Sequence, residues 1–198
     1  DEQGRPVAAT PDIQFHVSTL SADMAGGQVH PYSGFTMSVC QLRPESRGQL
    51  RIRSRDAFEP PSIQPNYLAT DLDRRTNVAA VRAARAIADT PAMRPFVKRE
   101  VKPGPDAHSD AELLEFCRNH GATIFHPSGT CRMGSDALAV VDARLRVHGM
   151  AGLRVVDCSV MPTLVSGNTN APVVMMAEKA ADMVREDRHG ETGQLKVA

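Results

Sequence analysis

The chain has 198 residues, 41% of them hydrophobic and 23% charged, a globular composition that excludes a disordered or fibrous class. Lysine plus arginine number 23 and aspartate plus glutamate number 23, so the formal net charge is zero. No basic stripe appears, which argues against a nucleic-acid backbone as the main partner. The longest apolar run, Ala171 to Ala177, is far too short for a transmembrane helix.

The sequence opens on Asp1 without a signal-peptide pattern and reads as a piece of a longer polypeptide. Cys40, Cys117, Cys131 and Cys158 form no CxxC pair and read as free thiols of a reducing, cytoplasmic setting. Residues 1–10 are polar and contain Gly and Pro, as a frayed lead-in does. Ile13 to Leu20 alternates as a strand, with Ile13, Phe15 and Val17 on one face. Leu20 to Gly34, with Gly26, Gly27 and Pro31, reads as a long loop. Phe35 to Leu42 and Gln49 to Arg53 are expected to pair as a hairpin through the turn residues Arg43 to Gly48, with Leu50 and Ile52 facing inward. Pro60, Pro61 and Pro65 hold the next stretch extended.

Asp71 to Asp89 is the clearest helix, capped by Thr70, acidic in its first turn and followed by Pro91. Arg74, Arg75, Arg82 and Arg85 are expected on its solvated face. Ser109 and Glu112 form a capping box for a short helix that stops at Gly121. A last helix is expected from about Ala171, with Pro172 in its first turn, to about Asp187, followed by a disordered polar tail. No Gly-x-Gly-x-x-Gly and no Walker loop occurs, so the chain carries no nucleotide fingerprint of its own.

Two segments concentrate unusual residues. Phe125-His126-Pro127-Ser128-Gly129-Thr130-Cys131 places a histidine at the end of an apolar stretch, held in an irregular loop by Pro and Gly. Gly152 to Pro162 reads as a short strand ending in Asp157. It is followed by Ser166-Gly167-Asn168-Thr169-Asn170-Ala171-Pro172, a helix start crowded with Asn and Thr. Such a strand–Asp–loop–helix arrangement presents a carboxylate and unbonded backbone N–H groups to one ligand.

These segments closely resemble the C-terminal signature of the glucose–methanol–choline (GMC) oxidoreductases. That signature runs from His-Pro-x-Gly-Thr through Val140-Val141-Asp142-Ala143-Arg144-Leu145-Arg146-Val147-His148-Gly149 to the Asn-Thr-Asn-Ala-Pro helix start. Pro11 to His16, Leu42 to Gly48 and Pro65 to Leu68 extend the similarity to about residues 11–187. The resemblance implies an α+β fold. Residues 11–122 would be an antiparallel-sheet substrate domain flanked by helices, and 123–187 the catalytic loop with a strand–loop–helix segment completing an FAD domain. Residues 1–10 and 188–198 would be disordered tails.

His126 would be the catalytic base and Asn168 its partner on the substrate oxygen. Asp157, Cys158, Thr169, Asn170 and Ala171 would meet the FAD, and Phe125 would line the substrate pocket. The implied partners are a small-molecule alcohol and an N-terminal FAD-binding half, absent here. Without that half the isolated chain is expected to be inactive.

A lone histidine is more often structural, so it is the surrounding motif that favours catalysis at His126. Cys131 and Cys158, and Met175 and Met176, read as packing residues. Two alternatives come from other classes. One is a non-catalytic interaction domain derived from this fold. The other is a zinc-stabilised module using Cys117, His120, His126 and Cys131, although that spacing fits no common finger. Absence of Trp and an aromatic content of 4% leave little for a cage around a quaternary ammonium, which disfavours choline as the substrate.

Overall fold

A computed structural model describes residues 11–23 and 27–194. The chain divides into two compact units at Thr123/Ile124. It is α+β, with small antiparallel sheets and three α-helices among the described residues.

In the first unit, β1 (Ile13–Ser18) pairs antiparallel with β2 (Thr36–Gln41), Ile13 opposite Gln41 and Ser18 opposite Thr36. A second antiparallel pair joins β3 (Gln49–Arg51) to β4 (Ser62–Gln64). The expected hairpin between β2 and the strand after it therefore does not form, and the 43–48 segment is not its turn. Its backbone is used elsewhere: the N–H groups of Glu45 and Ser46 both donate to the carboxylate of Asp73, at 2.9 and 2.8 Å. The chain is thus drawn away from β2 and onto the start of the first helix. The inward orientation expected for Leu50 and Ile52 is not seen either, since Ile52 is 85% exposed. The β3–β4 pair has no second layer over these residues within the described unit.

Gly48 is fixed by close approach. A Cβ there would lie 2.1 Å from the carbonyl oxygen of Gln64 and 2.5 Å from that of Pro65. Gly48→Ala should therefore push β4 off β3 and lower stability by about 1–3 kcal/mol in denaturant unfolding of the full-length protein. An unchanged midpoint would contradict this contact.

Helix α1 (Asp71–Ala88) starts and stops where its signals lie. Thr70 Oγ1 accepts from the N–H of Asp73, and Asp89 is the C-cap. It packs on β2 and on α2 (Asp110–His120), burying Val78, Val81 and Leu113 with Val39, Leu114 and Cys117 around them. The α2 capping box is complete. Ser109 Oγ accepts from the N–H of Glu112, and the Glu112 carboxylate accepts from Ser109, which lowers its pKa to about 2. Of the four arginines on α1, Arg85 departs from a purely solvated role: it is half-buried and donates to Glu100 and to the Ala107 and Gly104 carbonyls.

The second unit is built on loop pairing. The N–H groups of Gly129, Cys131 and Met133 bond the carbonyls of Cys158, Ser159 and Val160, laying the 129–133 segment along a 3-10 turn. Val141, Leu145, Val160 and Ala180 form its core, with Met133, Val147, Val155 and Met176 packed against them. Met176 is thus core, but Met175 is 61% exposed, against the expectation for both. Helix α3 (Asn170–Gln194) continues beyond the expected end near Asp187, so the segment to Gln194 is helical rather than a disordered tail. No proline follows Pro172 to break it. Arg144 and Arg154 both bond Asp187, tying α3 to the 142–154 loop. Residues 1–10 and 195–198, including parts of both expected tails, lie outside the described residues. No described helix is long and apolar enough to cross a membrane.

Candidate active site

The second unit brings the two signature segments together. Phe125 has a φ of 63°, a left-handed conformation that costs a non-glycine residue roughly 1–2 kcal/mol and turns the chain just ahead of His126. Phe125 is 69% exposed. His126 is half-buried, and its Nδ1 lies 2.9 Å from Thr169 Oγ1, across 43 positions of sequence. Thr169 is only 5% exposed and precedes the first residue of α3, whose opening turn is closed by the Val173 N–H to Thr169 carbonyl bond.

Asn168 adjoins Thr169 and is exposed, as are Asn170 and Ala171. Asp157 is also exposed. Its Oδ1 accepts from the Ser159 N–H at 2.7 Å, capping the 3-10 turn that begins at Cys158. The site residues thus belong to one unit, and His126 is joined directly to the start of α3. The sequence alone does not announce that bond, since the resemblance implies only a cofactor contact for Thr169.

All four cysteines are free, and burial pushes the Cys40 and Cys117 thiols up, keeping them neutral. Among the described residues, no group of three or more His, Cys, Asp or Glu is placed to hold a metal ion.

The GMC oxidoreductase model matches residues 44–177, and the chain belongs to that family. An alcohol dehydrogenase (acceptor) of Pseudomonas putida is 43% identical over 179 residues, 90% of this chain and 32% of that protein. An oxygen-dependent choline dehydrogenase of Pseudomonas aeruginosa is 46% identical over 175 residues, 88% of this chain and 31% of that protein. Among solved structures, pyridoxine 4-oxidase from Mesorbium loti superposes with a TM-score of 0.81 at 33% identity, covering 91% of this chain and 35% of that one. The chain spans about a third of the length of the relatives it matches.

Proposed function

We propose that this chain is the proton-handling part of an FAD-dependent enzyme that oxidises a primary or secondary alcohol, with His126 as the base. The observation that carries the reading is the 2.9 Å contact between His126 Nδ1 and the buried Thr169 hydroxyl. It fixes one face of the imidazole, so that Nε2 is the nitrogen assigned to the substrate. An alcohol is too weak an acid to lose its proton unaided near neutral pH, and hydride leaves readily only from an alkoxide-like carbon. A neutral imidazole, with one ring nitrogen free to accept, is suited to take that proton. The Asn168 amide donates to the same oxygen and steadies the charge that develops there. Phe125 lines the pocket.

The residues present fit a flavin. The first turn of α3 holds no acidic side chain, whereas α1 carries Asp71 and Asp73 there and α2 carries Asp110 and Glu112. The positive end of the α3 dipole is thus left for an electron-rich partner. Asp157, Cys158, Asn170 and Ala171 would hold the cofactor, which when bound supplies hydride acceptance, whereas the buried Thr169 hydroxyl faces His126. The first unit is the substrate-binding domain, and the larger part of the cofactor site is contributed by an N-terminal half.

The test is the full-length, flavin-loaded protein mixed anaerobically with a panel of small primary and secondary alcohols. Bleaching of the flavin with formation of the matching carbonyl compound is expected. A flavin that no alcohol reduces would overturn the reading.

A further inference from the structure

The helix starts of this chain differ in one respect that bears on the base. Thr70 and Ser109 each accept a hydrogen bond from the backbone N–H three residues on, that of Asp73 and that of Glu112. Thr169 occupies the same position ahead of α3, but the residue three further on is Pro172, whose nitrogen carries no hydrogen. The third-residue bond that the other two caps receive is closed to it. Its buried hydroxyl meets His126 Nδ1 instead, at 2.9 Å.

We propose that Thr169 is a positioning residue that holds His126 in the Nδ1-protonated tautomer, and that Pro172 keeps the Thr169 hydroxyl available for that duty. The proposal rests on the assignment of His126 as base and deepens it. A neutral imidazole carries one proton, so Nε2 accepts the substrate proton only when Nδ1 holds the hydrogen and donates it. In this arrangement Thr169 Oγ1 is the acceptor and its own hydrogen turns away from the ring. Once Nε2 is protonated, both ring nitrogens must donate, and the same Nδ1–H to Oγ1 bond persists. The opposite arrangement, Thr169 donating to Nδ1, puts the hydrogen on Nε2 and would have to be undone before each turnover.

The test uses full-length enzyme loaded with FAD. Thr169→Val keeps the branched shape and removes the hydroxyl, and Thr169→Ser restores it. The Val variant should reduce its flavin with alcohol about 10- to 100-fold more slowly at little-changed KM, while the Ser variant stays within about threefold of wild type. Pro172→Ala supplies a competing N–H at the third helical position and should slow the reaction at least about threefold. In a His126→Ala background, Thr169→Val should change the residual rate by less than about twofold.

As a readout apart from turnover, ¹⁵N-histidine NMR should show His126 with an unprotonated Nε2, becoming a tautomer mixture in the Val variant. A fully active Val variant, a Ser variant as impaired as Val, an additive double variant, or an Nε2-protonated wild type would each overturn the proposal. An unimpaired Pro172→Ala would remove the role given to Pro172. An undiminished His126→Ala would instead defeat the base assignment, which separates the two failures.

Discussion

Alcohol oxidation by the full-length protein should fall roughly 10²–10⁴-fold when His126 is replaced by alanine, with KM moving far less. The split follows from the proposed role of the residue. A base acts in the transition state, where the hydroxyl proton is in flight, and adds little to ground-state binding of a neutral alcohol. His126 is half-buried and lies outside the Val141–Leu145–Val160–Ala180 core, so truncation opens no large cavity. The variant should therefore fold and retain its flavin. His126→Gln, which keeps polar reach without a titratable nitrogen, should be nearly as slow. Recovery of activity by glutamine would show that hydrogen bonding, not proton transfer, is the role of this side chain.

The largest expected effect on stability belongs to a residue far from the chemistry in sequence. Asp73 is 2% exposed, and its carboxylate accepts from Gln41 Nε2 and from the backbone N–H groups of Glu45 and Ser46, at 2.8–2.9 Å. Asp73→Ala would take the acceptor from two backbone N–H groups of a partly buried loop and one of the two acceptors from the Gln41 amide. Loss of the buried carboxylate and its hydrogen bonds, relieved by water reaching the part-buried donors, should cost about 2–3 kcal/mol.

The pH dependence has a definite sign. Burial pushes the Asp73 carboxyl up, but the hydrogen bonds from Ser46, Glu45 and Gln41 outweigh it and hold the group below the usual carboxylate range. A group lowered in the folded state contributes stability that is complete above its unfolded value, near 3.9, and is lost as the pH falls through the lower folded value. Denaturant midpoints of wild type and Asp73→Ala should therefore differ most near neutrality and converge in acid. A gap that widens in acid would contradict this account.

What could be read in the sequence was local. Thr70, Ser109 and Glu112 act within three or four residues of themselves, so the starts of α1 and α2 follow from spacing alone. Strand partnership is not local. Phe35 to Leu42 carries the same alternation whichever neighbour it pairs with; it pairs with β1, and the loop that follows is bonded to Asp73, some 27 residues beyond it. Nothing in the turn residues 43–48 announces a buried carboxylate.

In the site, the histidine loop and the Asn-Thr-Asn-Ala-Pro helix start were visible as a resemblance, but the bond between them was not. His126 and Thr169 are 43 positions apart, and Thr169 looks like any other helix cap until the missing N–H of Pro172 is noticed. The full length of α3 escaped for the opposite reason. A polar segment with two glycines reads as a tail, yet the helix continues through it to Gln194.

The central claim is that this chain contributes the base which takes the alcohol proton. Its most direct test is single-turnover reduction of the full-length flavoprotein by a saturating alcohol under anaerobic conditions, comparing wild type with His126→Ala. An unchanged oxidised spectrum and a reduction rate slowed by roughly 10²–10⁴ are expected. A variant that bleaches within about tenfold of wild type would contradict the claim.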